Sequence, residues 1–223
     1  MTQRSIFAGK NETILIKVGG SVIVKGHESD RLVAAGTGGL TVDRRSASEI
    51  GRARAAVGDH VFFDVRIKLP GKQSSNEMIE VQIGDSGEVL VPFESDIKVY
   101  AGKDIDVQGL KGQVDAFAGL NLKVMDVYSL GNISAGGSMD VDARAMTGKD
   151  VTFGAGRDLR FHVADLTSLR LRVKDIGGYW EAHIGGGEKS VYLKSGGDVT
   201  FVTDQQVEPL PPNYVLGKIE RPA

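Results

Sequence analysis

An all-β chain, wound as a β-solenoid or β-helix of short strands, is what the sequence predicts. Three observations carry that prediction. Glycine is in excess, 30 of 223 residues, about twice the usual ~7%. Glycines recur at Gly102, Gly119, Gly136, Gly156, Gly177 and Gly196, spaced by 17, 17, 20, 21 and 19 residues. Each is followed by an apolar–polar–apolar triplet, and period 2 marks a strand with one buried face.

Along the chain, residues 1–95 form an irregular N-terminal part. Gly19 with Val22 and Val24 states the motif early, and Leu40 and Val42 after Gly38-Gly39 read as another strand. An irregular or helical excursion near 44–78 follows. Ser46-Ala47-Ser48-Glu49 has capping-box form, which predicts a short helix over 47–57. His60 to Leu69 alternates like a strand, Pro70 to Asn76 is a polar loop, and Val81 to Phe93 returns to strands.

Residues 96–207 are the regular coils, about 17–21 residues each. Three residues after each glycine stand Ile105, Leu122, Met139, Leu159, Trp180 and Val199; five after stand Val107, Val124, Val141, Phe161, Ala182 and Phe201. All are apolar, and the residue between each pair is polar. A second strand per coil is marked by Val114 and Ala116, Val151 and Phe153, and Val191 and Leu193. Ala101, Ala118, Ala135 and Ala155 precede their glycines, so successive coils turn a tight corner there. Coils stacked about 4.8 Å apart place Asp106, Lys123, Asp140, Arg160 and Glu181 in a ladder of alternating sign. No proline lies between Phe93 and Glu208, as a continuous hydrogen-bond ladder requires. Residues 1–207 thus read as one continuous domain. Residues 208–223 read as a tail in which Pro209, Pro211 and Pro212 lead to an apolar patch.

The composition excludes several functions. Twenty-seven Lys+Arg against 29 Asp+Glu leave a net charge of −2, which argues against nucleic acid as partner. Without cysteine there is no disulfide, thiol nucleophile or Cys-zinc site. No two of His27, His60, His162 and His183 stand at metal-binding helical spacing from each other, and no phosphate-binding or nucleophile-elbow motif occurs. Gly185-Gly186-Gly187 precedes a strand, not a helix, and reads as a turn. The pairs Asp104/Asp106 and Asp140/Asp142 resemble acid/base carboxylates of β-helix hydrolases, but Asn121 and Lys123 on the coil between break the cluster. The chain is therefore expected to be no enzyme and to need no cofactor or metal. Trp180 falls at a core position, and Tyr179 beside it is a candidate surface contact. No apolar run approaches membrane-spanning length, and the first ten residues lack a signal peptide. A cytoplasmic location is expected, with leaderless export left open.

The segments AGKDIDVQGLKGQVDAFAGLNLKV and LKSGGDVTFVTD resemble the bacterial putative-adhesin-like β-strand-repeat family of unknown function, over about residues 87–204 and more faintly 14–42. The resemblance implies a bactofilin-like architecture, a stack that polymerises end to end. It implies no catalytic residues.

The leading expectation is a non-enzymatic scaffold that self-associates as a filament or ordered oligomer. The alternative is a ligand- or surface-binding, adhesin-like module that recognises carbohydrate or protein along the solenoid face. Candidate self-association residues are Val199 and Phe201 in the last coil, and Tyr214, Val215, Leu216 and Ile219 in the tail.

Overall fold

The computed structural model describes residues 1–9, 12–46, 56–57, 60–61, 77–144, 150–163, 169–175, 178–184 and 189–203. Among these the only regular elements are strands. In chain order they are β1 (Thr2–Phe7), β2 (Thr13–Val18), β3 (Val22–His27), β4 (Arg31–Gly36), β5 (Leu40–Ser46), β6 (Ala56–Val57) and β7 (His60–Val61). Then come β8 (Glu77–Ile83), β9 (Gly87–Pro92), β10 (Asp96–Ala101), β11 (Ile105–Ala118), β12 (Leu122–Ala135) and β13 (Met139–Ala143). The last are β14 (Asp150–Ala155), β15 (Leu159–Val163), β16 (Leu169–Asp175), β17 (Gly178–Ile184), β18 (Lys189–Ser195) and β19 (Val199–Thr203). Seventeen join one open sheet, and β6 and β7 form a separate two-stranded pair.

Two columns of parallel strands run through the sheet. The first holds β9, β3, the first half of β11, the first half of β12, β13, β15 and β19. Its register passes from Gly87 to Val22, Ile105, Leu122, Met139, Leu159 and Val199. The glycine anchors thus set the pairing, and the predicted spacing of 17 residues separates Ile105, Leu122 and Met139. The second column holds β8, β2, β10, the later halves of β11 and β12, then β14, β18 and β16. Val81, Ile16, Val99, Ala116, Ile133, Phe153, Leu193 and Val173 stand in register along it.

Alternation does the sorting. In the first column Ile105, Leu122, Met139, Leu159 and Val199, with Val107, Val124, Val141 and Phe161, are all buried. They share one core with Ile16, Val99, Ala116, Ile133 and Phe153 of the second column. β11 and β12 serve both columns and must bend between them. The bend uses left-handed backbone at Gly109 (φ 65°) and Asp126 (φ 55°), which occupy matching places between Gln108↔Met125 and Leu110↔Val127. Aspartate tolerates this region better than most side chains, and Arg144 pairs with Asp126 at 2.6 Å.

Stacking order is not chain order. β2 and β3 lie between the level made by β8 and β9 and the level made by β10 and β11. At this lower end both columns finish in antiparallel strands. β4 pairs with β9, β1 pairs with β4, and β5 pairs with β8. Leu32, Ala34, Leu40 and Ala8 seal the core there.

Three expectations are corrected. The helix over 47–57 fails at its end, because Ala56 and Val57 form β6, which pairs antiparallel with His60 and Val61; residues 47–55 lie outside the described ones, as do 62–69 of the expected strand. The unit anchored at Gly177 is not a coil of the stack. β17 pairs antiparallel with β16, with Trp180 opposite Val173, and β15 pairs directly with β19. Only two residues separate β16 from β17, too few for the crossover that a parallel neighbour needs. Consequently Glu181 leaves the charge ladder. It stands opposite Arg172, and the neighbour of Arg160 is Thr200.

Candidate functional site

Two features stand out once the columns are assembled: a groove over the first column, and the end of that column at β19. The groove begins with the turn that precedes each strand. Two residues after each anchoring glycine stand Ser21, Asp104, Asn121, Ser138, Asp158 and Asp198. The side chains of Ser21, Asp104, Asn121 and Asp158 bind the backbone of the next level. Asp104 Oδ1 accepts from the Asn121 amide N–H at 3.1 Å and from its Nδ2 at 3.0 Å. Asn121 Oδ1 accepts from the Ser138 N–H at 3.1 Å, and Asp158 Oδ1 from the Asp198 N–H at 3.2 Å. Ser21 Oγ donates to Asp104 Oδ2 at 3.2 Å. Polar caps of this kind satisfy backbone donors that a tight turn would otherwise leave open.

Beside this row run the outward residues of the strands, Asp106, Lys123, Asp140 and Arg160, in register. Of the oppositely charged contacts they offer, Asp140–Arg160 closes as an ion pair, at 3.0 Å. Both partners are more than 40% exposed, so the pair adds little stability, roughly 0–1 kcal/mol. Between the two rows lies an open groove of 660 Å³ that reaches from Ser21 to Thr200.

The aspartate pairs are occupied in neighbour contacts. Asp104 caps the next turn, Asp106 accepts from Gln108 Nε2 at 2.9 Å, Asp140 holds Arg160, and Asp142 holds His162 Nδ1 at 2.9 Å. Lys123 stands between Asp106 and Asp140, as the sequence implies. Among the described residues no three His, Asp or Glu side chains gather as metal ligands. No helix among them is long and apolar enough to cross a membrane.

Among the described residues, the second column carries one buried charge, on its outer side. Glu80 is 1% exposed; its Oε1 accepts a hydrogen bond from Lys17 Nζ at 2.7 Å, and Arg45 Nε lies 3.0 Å from its Oε2 as an ion pair. Burial pushes its pKa up. The hydrogen bonds from Lys17 and Gln82 and the charges of Lys17 and Arg45 outweigh burial and hold it below its ordinary value of 4.5. A depressed carboxylate stabilises the fold above its unfolded pKa, and that stabilisation is lost as pH falls through the folded value. Thermal melts from about pH 7 to about pH 3 should therefore show stability falling below about pH 4.5. Glu80→Gln should cost about 1.5–3 kcal/mol at neutral pH and flatten that acid slope. A variant with the same acid slope as the parent would remove Glu80 as its source.

At the column end, each strand's first residue donates to the level above. The N–H groups of Val22, Ile105, Leu122, Met139 and Leu159 donate to the carbonyls of Asp104, Asn121, Ser138, Asp158 and Asp198, at 2.9–3.0 Å. Val199 is the next rung, and among the described residues β19 pairs with β15 alone. Val199 is buried, and Phe201 stands in register with Phe161. Tyr214, Val215, Leu216 and Ile219 lie outside the described residues. Tyr179 is on β17 opposite Lys174; its side chain, like that of Trp180, is outside the description.

No family model and no curated protein matches the chain. The chain is similar to a solved structure described as a putative cell adhesion protein from Clostridium sporogenes ATCC 15579. The identity is 10%, the TM-score is 0.43, and the match covers 91% of this chain and 99% of that one.

Proposed function

We propose that the chain is a non-enzymatic β-solenoid scaffold that self-associates through an end of its stack, bactofilin-like in that respect. The observation behind this reading is the pairing itself. Seven levels follow one another in parallel register from β9 to β19. At about 4.8 Å per level they form a rod some 29 Å high. Such a stack is rigid because each inner level is held on both faces, and among the described residues its last strand, β19, is paired along one edge. Light scattering on the full chain over rising concentration, with electron microscopy of the same samples, tests it. Expected is an ordered oligomer or filament of defined width; a monomer at every concentration removes the self-association.

The adhesin-like alternative draws on the groove. Its charged row runs through four successive levels, Asp106, Lys123, Asp140 and Arg160, as a surface for an extended carbohydrate or peptide would. Retention on a glycan array by the parent, lost in Arg160→Ala with Lys123→Ala, would favour it over the scaffold.

A further inference from the structure

The outward row of the first column alternates in charge along the stack: Asp106, Lys123, Asp140, Arg160. Ile23 stands in register below it and Thr200 above it, both uncharged. Read backwards, this order is its own complement. A second copy turned end over end sets Asp106 against Arg160, Lys123 against Asp140, and Ile23 against Thr200. Neighbouring alignments fail. With the two stacks parallel, or antiparallel but slipped by one level, like charge meets like at every shared position of the row. A slip of two levels keeps only half of the favourable contacts. Lys123 adds a second observation. It is exposed between two carboxylates and, among the described residues, forms an ion pair with neither.

We propose that this face is an interface between two copies of the chain, paired antiparallel about a two-fold axis that lies along the strands between β12 and β13. The proposal rests on the parallel stack described above and adds a side-to-side contact to the self-association proposed there. A two-fold contact is self-complementary, so each opposed charge pair occurs twice. Such complementarity fixes register and partner more than it adds affinity. The flanking rows accept the same axis. Asp104 meets Asp158, but each is turned to a backbone N–H, of Asn121 and of Asp198. Each also follows a cation, Lys103 or Arg157. On the other side Gln108 and Met125 meet His162 and Asp142, which hold each other at 2.9 Å. The Asp140–Arg160 pair within one chain is open to exchange, since both side chains are more than 40% exposed. The face, from Ile23 to Thr200, covers about 24 Å by about 16 Å, roughly 400 Å² per copy. That is about half of the ~800 Å² per partner of a standard interface. The contact is therefore weak between single molecules and sensitive to salt.

Charge exchange in full chains tests the alignment. Lys123→Glu brings a carboxylate against Asp140 of the other copy, and Asp140→Lys brings a cation against Lys123. In sedimentation velocity at about 20 mM salt, each variant alone should associate at least about tenfold more weakly than the parent. An equimolar mixture of the two variants opposes the new charges to one another. It should recover association to within about threefold of the parent, and that recovery also shows both variants to be folded. Parent and mixture should both lose the contact at about 0.5 M salt. Parent association that salt does not weaken, or that neither variant reduces, overturns the face and leaves contact through the stack end standing. So does a mixture that fails to recover while both variants melt like the parent. Recovery in the mixture with nothing larger than a pair supports the face and removes the end contact. A parent monomeric at every concentration and salt removes both. A monomeric parent retained on a glycan array, with retention lost in Lys123→Glu, makes carbohydrate the occupant and overturns the proposal.

Discussion

Leu122→Asp is expected to cost at least about 4 kcal/mol, a large part of the ~5–15 kcal/mol that holds a domain together. Leu122 is 1% exposed, with Ile105 below it and Met139 above it in register. A carboxylate there meets apolar side chains from both neighbouring levels. The charge cannot move to water without opening the stack, because each flanking level is itself held by the next. One residue on, Lys123→Asp points outward. It sets carboxylates at 106, 123 and 140 in a row, and like charges on adjacent strands cost only about 0.2–1 kcal/mol per pair. Denaturant titrations of the two variants should therefore differ several-fold in free-energy loss. Position 123 proving the more damaging would reverse the in–out assignment of the whole first column.

That assignment was legible because two independent signals agree. Glycine marks where a level starts, and alternation marks which side is buried. Together they place Ile105, Leu122, Met139, Leu159 and Val199 in one register before any coordinates are known. The same two signals mislead at Gly177. Trp180 and Ala182 alternate as well as any other pair, but alternation says only that one face is buried and is silent on the neighbour's direction. Direction was written in the two-residue gap between β16 and β17, a connection length that permits only an antiparallel return. The caps also carry a sequence signal: Ser21, Asp104, Asn121 and Asp158 all stand two residues after an anchoring glycine. Two features have no signal of this kind. Asp126 takes left-handed backbone where glycine would be expected, because its place is fixed by the Gly109 bend one level below. The placement of β2 and β3 above β8 and β9 is also hidden, since apolar alternation fits any level equally.

Gly119→Ala is expected to destabilise, against the usual sign of that substitution. Away from special backbone, replacing glycine by alanine restricts the unfolded chain and stabilises by about 0.4–1 kcal/mol. Gly119 is in no left-handed conformation, so only space decides. Its N–H donates to the Ala101 carbonyl at 2.9 Å, and a Cβ on it would run into the carbonyl oxygen of Gly102, the glycine one level below. The same contact repeats at Gly102, Gly136, Gly156 and Gly196, each against the glycine beneath it. The obstacle is backbone held in a ladder, not the end of a mobile side chain. The methyl must therefore push two levels apart, with an expected cost of about 1–3 kcal/mol, the range for overpacking. Gly154 on β14 is the matched control, because a Cβ there meets nothing within 4 Å. Gly154→Ala should be neutral or stabilising by up to about 1 kcal/mol. Urea midpoints for the two variants should fall on opposite sides of the parent. If Gly119→Ala instead matches the parent or exceeds it, successive levels do not approach at their glycines, and the small residues at these corners serve some other end.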